Sequence, residues 1–347
     1  MSHTIFVGLS GGVDSAVAAA LLKEQGFDVV GAYIKIWQPE FIECTWREDR
    51  LDAMRVCAAL GIPFKEIDLS DEYKKEVVDA MVRDYARGIT PNPDVLCNRH
   101  IKFGAFAQWA RESGADLIAT GHYAQKREVG GHFELSRARD AGKDQSYFLY
   151  RLGQADLARA QFPIGGMLKS EVRAHARYLK LPVAEKADSQ GLCFVGEVSM
   201  SDFLARFIPV ARGPVVCDGA QVGEHDGAAL YTIGQRHGLT LGASAPRGPY
   251  YVIGVDIATN TVRVSTRRDD ATRPFARLTD VHWVYREPST PCTVQVQARY
   301  HEQPVSATLE KSGGELRVTF NQRHIASPGQ SLVVYDGDTC LGGGIIA

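Results

Sequence analysis

No stretch of this chain approaches the roughly 18 uninterrupted apolar residues that a membrane-spanning helix needs. Its first residues, MSHTIFVGLSGG, have neither the basic start nor the long apolar core of a secretory leader. Cysteine is sparse: seven in 347 residues, an odd number, with no pair at CxxC spacing. That excludes a disulfide-built secreted scaffold and gives a Cys-rich zinc or iron–sulfur centre no local support. An excess of one charge is missing too. The 39 Lys and Arg residues against 41 Asp and Glu residues give a net of −2, which excludes a uniformly basic nucleic-acid coat but leaves room for a local basic surface. Candidate basic clusters are Arg99–Lys102, Lys126–Arg127 and Arg263–Arg277. Repeats and low-complexity tracts are absent. The expectation is a soluble, cytoplasmic protein.

What is present is the composition of a folded chain, 45% hydrophobic and 23% charged, long enough for two or three domains. Over the first two hundred residues short apolar runs alternate with helical spacing. Thr4–Leu9, Asp28–Ile34, Phe64–Asp68 and Leu117–Thr120 read as strands, and Val13–Gln25, Asp49–Leu60, Asp71–Arg87 and Ile101–Ser113 as helices. This alternation predicts an α/β fold with a Rossmann-like parallel sheet. The polar 131–142 stretch reads as a connection free to move. After about Gly196 the pattern turns to short strands between glycine, proline and Asx turns, clearest over Leu278–Trp283, Thr293–Arg299, Val305–Leu309, Leu316–Phe320, Ser331–Tyr335 and Leu341–Ile346. The expected units are 1–200, a nucleotide-binding catalytic domain; 201–272, a small β-rich domain; and 273–347, a C-terminal β-barrel.

The loop Gly8-Leu9-Ser10-Gly11-Gly12-Val13-Asp14-Ser15 joins the first strand to the first helix. Glycines there let a phosphate approach the backbone, the helix N-terminus offers unpaired N–H groups, and two serines add hydroxyls. No Lys-Ser/Thr follows, so it is not a Walker A loop, and it lacks the GxGxxG spacing of dinucleotide sites. Asp14 is unexpected at an anion site unless it caps the loop or holds a magnesium ion.

Two cysteines have unusual surroundings. Thr90-Pro91-Asn92-Pro93-Asp94-Val95-Leu96-Cys97-Asn98 is stiffened by two prolines and delivers Asp94 and Cys97 just ahead of the helix expected at Ile101. A thiol there, followed by Arg99, His100 and Lys102, suits nucleophilic chemistry, and Asp94 suits proton transfer. The second, Asp188-Ser189-Gln190-Gly191-Leu192-Cys193, places a glycine two residues before Cys193; from the residues alone it is ambiguous. The other five, Cys44, Cys57, Cys217, Cys292 and Cys340, read as packing residues.

SGGVDS after the first strand resembles the PP-loop of ATP pyrophosphatases. Taken with TPNPDVLCN, ATGHY (Ala119–Tyr123), KDQSYFLY (Lys143–Tyr150), DSQGLCFVGE, the GQR segment at Gly234–Arg236, ARY (Ala298–Tyr300), SPGQ (Ser327–Gln330) and CLGGGII, it resembles the tRNA-specific 2-thiouridylases in motif order across the chain. The resemblance implies ATP with Mg²⁺, adenylation of the C2 oxygen of the wobble uridine, and sulfur delivery from a cysteine persulfide to give 2-thiouridine, AMP and pyrophosphate. It assigns ATP to Gly8, Leu9, Ser10, Gly11, Gly12, Val13, Asp14 and Ser15, with Ile34 and Gly121 at the adenosine. Cys193 becomes the persulfide carrier and Cys97 its partner, the two passing through a transient disulfide. Asn92, Pro93 and Asp94 meet the target base, with Asp94 in acid–base work. His122, Lys143, Asp144, Gln145, Arg299, Tyr300 and Gln330 contact tRNA.

Implied partners are tRNAs of the Lys, Glu and Gln acceptor type and a sulfur-donor protein. No resident metal ion is implied beyond the magnesium that accompanies ATP. The chain departs from the family pattern at Ile34, where methionine is common, and at Ile36, where asparagine is expected. The competing expectation is a PP-loop amide or C–N ligase acting on a small molecule, with structural cysteines.

Overall fold

The computed structural model describes residues 3–41, 46–188, 198–243, 245 and 248–347. Its first sheet is built from β1 (Thr4–Leu9), β2 (Asp28–Lys35), β3 (Phe64–Asp68) and β4 (Leu117–Ala119). A hairpin follows, β5 (Ala124–Val129) and β6 (His132–Arg137), and then the short β7 (Ala160–Gln161). The parallel order is β3-β2-β1-β4-β7. Because β1 pairs with β2 on one side and β4 on the other, the order reverses at β1. The crevice beyond the carboxyl end of β1 is where such sheets bind ligands.

Apolar side chains cover both faces. Phe6, Val30, Ala32 and Ile118 belong to one core, and Ile5, Val7, Leu9, Val29 and Ala119 to the other. Near-continuous burial of this kind is what a parallel sheet needs. α1 (Val13–Glu24) is alanine-rich and buried along most of its length, so it lies close on the sheet. α2 (Trp46–Leu60) packs outside β2.

The helix expected from Ile101 begins eight residues earlier. One continuous helical segment runs from Pro93 to Glu112, with π-helical geometry over Cys97–Ala105. The prolines misled the reading. Pro93 occupies a first-turn position, where its fixed φ suits the helix, and Asn92 caps the start by accepting from the Val95 N–H at 3.4 Å. Cys97 therefore lies one turn inside the helix, at the start of its wide portion. The 131–142 stretch is a second correction. Much of it is β6, which pairs with β5 and docks on the C-terminal sheet, Thr339 opposite Ser136 and Cys340 opposite Leu135.

The central unit is a five-stranded sheet of β8 (Gly213–Cys217), β9 (Ala220–His225), β10 (Thr240–Leu241), β11 (Tyr251–Asp256) and β12 (Thr261–Ser265). The last is a barrel of β13 (Arg273–Trp283), β14 (Cys292–Gln297), β15 (Val305–Ser312), β16 (Glu315–His324), β17 (Ser331–Asp336) and β18 (Thr339–Ile346), closed by pairing of β13 with β18. Closure removes the exposed edges and encloses a core of Val296, Ala307, Leu309, Val318, Leu332 and Val334.

Candidate active site

The nucleotide loop curls at the carboxyl end of β1. Gly11 sits at φ +74°, and an added Cβ would stand 2.4 Å from the Asp49 carbonyl oxygen of α2, so only glycine fits. Ser15 Oγ accepts from the Ser10 N–H at 3.2 Å and donates to the Gly12 carbonyl, while Ser10 Oγ accepts from the Gly12 N–H at 3.3 Å. Gly12 precedes α1 with no capping side chain. The first-turn N–H groups and the positive end of the helix dipole are thus left for an anion. Gly121, after β4, closes on the same turn: its Cβ would come within 2.6 Å of the Ser15 nitrogen. Ile34, at the end of β2, has its Cδ1 3.8 Å from where a Cβ on Gly8 would sit.

Asp14 neither caps the loop nor stands alone. Its carboxylate accepts from the Lys169 ammonium at 2.7 and 2.8 Å and from the Tyr123 hydroxyl at 2.9 Å. Lys169 also pairs with Asp188 at 2.8 Å, and Asp188 takes Lys143 at 2.9 Å and Arg173 at 2.8 Å. Partial desolvation alone would push Asp188 up, but hydrogen bonds and charge from Lys169 and Lys143 hold it at about 2. Burial, then Asp14, push the Tyr123 phenol far up, so it stays a donor. Lys169, Tyr123 and Asp188 were not among the site residues expected from sequence. The Asp14–Lys169 pair spans 155 positions, and no local pattern announces it.

The second half of the site lies along the helix from Pro93. Lys102, one residue past Ile101, approaches His122 with its ammonium 3.3 Å from Nε2. An ammonium only donates, so Nε2 accepts and Nδ1–H is assigned as donor to Thr120 Oγ1, 2.7 Å away. Burial, and then the Lys102 charge, hold His122 well below its ordinary value, as a neutral imidazole packed near Phe103 and Phe162. With 7% exposure it offers little surface to any ligand as it stands. Asp94 is pushed up by burial and only partly offset by Lys102. A half-buried carboxyl shifted upward by burial is better able to hold a proton than an ordinary carboxylate, which suits it to proton exchange. Cys97 is half-buried one turn further on. Cys193 lies outside the described residues, as does Cys44. Cys57 and Cys340 are buried, with thiols pushed up by burial to about 11 and about 12.

The barrel grips the segment leading into this helix. Gln330 donates from its amide to the Thr90 carbonyl at 2.8 Å and the Pro91 carbonyl at 3.1 Å. Tyr147 donates to the Ser331 carbonyl at 2.9 Å and hydrogen-bonds Asn92. Tyr300 packs on Phe148 with ring centroids 4.4 Å apart and feels the charge of Asp94. Arg299 donates to the Ile233 carbonyl and to Ser327 Oγ, tying the barrel to the central unit.

Of the Lys143-Asp144-Gln145 run, Lys143 turns to Asp188. Asp144 is buried against Arg137, Ser146 and the Ala138 N–H, and Gln145 accepts from the Tyr123 N–H. The structure thus gathers Asn92, Pro93, Asp94, Tyr300 and Gln330 at one end of the cleft, and Gly8–Ser15, Gly121 and Lys143 at the other. Arg299, Asp144 and Gln145 serve as ties within the fold. Among the described residues no three His, Cys, Asp or Glu side chains group to hold a metal ion, and no helix is long and apolar enough to cross a membrane.

Three family profiles cover the chain: one described as a tRNA methyl transferase HUP domain over residues 3–197, a tRNA methyl transferase PRC-barrel domain over 201–266, and an aminomethyltransferase beta-barrel domain over 275–346. The chain is 45% identical to a tRNA-specific 2-thiouridylase MnmA from Ralstonia pickettii, covering 99% of this chain and 95% of the relative. It is 43% identical to the protein of that name from Methylobacillus flagellatus, over 100% and 99%. Among solved structures, the U34-tRNA thiolase NcsA from Methanococcus maripaludis overlaps in part, at 21% identity and TM-score 0.36, over 55% of this chain and 61% of that one.

Proposed function

Since the chain belongs to the tRNA-specific 2-thiouridylase family, whose members match it over nearly its whole length, we propose that it thiolates the wobble uridine of tRNA at C2 at the expense of ATP. The observation that carries this reading is the meeting of two sites at one sheet end. Gly121, touching the nucleotide loop at Ser15, is followed by His122, which bonds Lys102 on the helix that carries Asp94 and Cys97. A nucleotide phosphate on the loop and a base beside Asp94 would face each other across that contact.

The chain's own groups supply the steps. First-turn N–H groups and the serine hydroxyls bind the phosphates, and Lys169 and Lys143 add positive charge where pyrophosphate leaves. Magnesium would ride chiefly on those phosphates, with Asp14, the loop's own carboxylate, able to hold it on exchanging its Lys169 contact; one carboxylate plus phosphate oxygens is a usual magnesium shell. The uridine C2 oxygen attacks the α-phosphorus, pyrophosphate departs, and C2 then carries AMP as leaving group. Cys97 as thiolate attacks Cys193 Sγ, the persulfide S–S bond breaks, and the released sulfur takes its electron pair to C2, displacing AMP. The product is 2-thiouridine. The two cysteines are left as a disulfide, which a cellular thiol must reduce before another turnover. Asp94 manages the proton at the base. Lifting the uridine from its stack costs a few kcal/mol, which the stiff, barrel-held Pro91–Pro93 segment offsets by presenting a preformed pocket wall. The substrates are wobble-uridine tRNAs of the Lys, Glu and Gln type, with a sulfur-donor protein charging Cys193 in the cytoplasm.

The test is nucleoside mass spectrometry of total tRNA from cells lacking the protein, complemented with wild type, Cys97→Ser or Cys193→Ser. Wild type alone should restore 2-thiouridine, with each variant lowered roughly 10³-fold or more. Unchanged 2-thiouridine on deletion would replace this reading with a small-molecule ligase.

A further inference from the structure

Of the three basic stretches in the sequence, two have most of their side chains engaged within the fold, Arg127 remaining exposed. Arg99 pairs with Asp156, Lys102 meets His122, and Lys126 donates to the carbonyls of Leu157 and Ala160. The third differs. Arg263 of β12 and Arg273 at the start of β13 line a cleft of about 190 Å³ where the first domain, the central unit and the barrel meet. Neither arginine forms an ion pair among the described residues, and no Asp or Glu lines the cleft.

The Arg263 guanidinium is held in place by packing. A Cβ on Gly254 would stand 2.6–3.0 Å from three of its atoms, so the planar group lies flat on the β11 backbone in the space that a side chain would fill. Asp256, at the end of β11, feels the Arg263 charge without pairing with it, and an anion entering the cleft would give both arginines a closer counter-charge. The hydroxyls of Thr90 and Thr232, 2.8 Å apart, and Ser327 add polar lining. Nearby Arg299 is lowered by burial, which outweighs the opposing charge of Glu302. The cleft suits a phosphate with part of its sugar. Thr90, on its wall, begins the segment leading to Asn92–Asp94, so an anion held here lies beside the base end of the active site.

We propose that the Arg263–Arg273 cleft binds one backbone phosphate of the RNA substrate and thereby registers the nucleotide chain against the Pro91–Asp94 segment. The proposal rests on the tRNA reading given above. The same phosphate chemistry could come from free pyrophosphate or a nucleotide, so the experiment separates these sources.

Binding of in vitro transcribed tRNA is measured against salt for wild type, for Arg263→Gln with Arg273→Gln, and for Arg277→Gln. Arg277 is an exposed arginine near Glu315, 3.7 Å away, outside the cleft. Binding of a non-hydrolysable ATP analogue and of pyrophosphate is followed in parallel. The double variant should bind tRNA about tenfold more weakly at moderate salt. Its log–log salt slope should flatten by about 0.7–0.9, the loss of one phosphate contact. ATP-analogue binding should hold, and Arg277→Gln should match wild type. Wild-type affinity and slope in the double variant would overturn the cleft assignment while leaving the tRNA reading intact. An equal loss in Arg277→Gln would reduce the effect to general charge and overturn it too. Weakened pyrophosphate or ATP-analogue binding with unchanged tRNA binding would give the cleft to a free anion instead. Absence of tRNA binding by wild type would sink the underlying reading, and this proposal with it.

Discussion

Asp188, at the nucleotide end of the cleft, shares three cations, Lys143, Lys169 and Arg173, and its carboxyl falls to about 2. Asp94, at the base end, is set beside the single charge of Lys102, and burial moves its carboxyl upward. The end at the glycine-rich loop is an ionic lattice in which Asp14 and Asp188 share Lys143, Lys169 and Arg173. At the base end, barrel side chains grip backbone carbonyls and few charges remain. Sites that push two carboxyls in opposite directions divide labour, one staying ionised as an electrostatic fixture and the other kept able to exchange a proton.

Five substitutions would sharpen or break that contrast. Gly121→Ala should do most damage at the nucleotide end. Its new Cβ meets helix backbone at Ser15, which cannot swing aside, so a loss of about 3 kcal/mol is expected in urea unfolding, along with weakened ATP binding. Lys169→Met should follow at about 2 kcal/mol, because it strands Asp14 and Asp188 together without the cation between them. An unfolding midpoint equal to wild type would show that the lattice contributes nothing. Gln330→Ala, at the base end, removes two hydrogen bonds to the Thr90 and Pro91 carbonyls. It should cost about 1 kcal/mol and lower the thiolation rate by mispositioning the segment, read as initial 2-thiouridine formation.

The smallest effect is one of sign. Asp188 lies below the ordinary carboxyl range of about 4, so its stabilisation is present above that range and lost as pH falls toward about 2. Asp94 lies above it, so its favourable contribution is present at low pH and lost as pH rises through its folded value. The stability gap between wild type and Asp188→Asn should therefore shrink from pH 6 to pH 3. The gap to Asp94→Asn should grow over the same interval. Parallel curves would remove the contrast.

Sequence reading reached some of this because certain residues carry their structural demand locally. Gly11 stands in a strand–turn–helix pattern that already pointed to a glycine-rich turn between β1 and α1, and the structure adds that its backbone there is left-handed. The barrel strands announced themselves by alternation between turn residues, but their ends were cut short: β13 starts at Arg273 rather than Leu278, because Arg273, Pro274 and Arg277 interrupt the apolar period, and β16 runs to His324 rather than Phe320. The helix start at Pro93 was missed because proline both breaks and begins helices, and only the Asn92 cap decides between them. His132–Arg137 was missed as a strand although its hairpin partner β5 directly precedes it: its polar, glycine-flanked run reads as a connection, and its second partner, β18, lies some two hundred residues away.

By itself the sequence determined the α/β character of the first two hundred residues, the glycine-rich turn after the first strand and the all-β remainder, because period, glycine placement and turn chemistry act over a few residues. Tertiary structure alone decided what Asp14 is for, how Asp94 is poised, and that Gln330 and Tyr147 hold the Pro91–Pro93 segment. Those properties arise from charges and hydrogen bonds between groups up to 240 positions apart, and from the burial that folding imposes on them. Desolvation and charge pairing depend on distance in space, which the order of residues along the chain does not encode until the sheet and the barrel have closed around them.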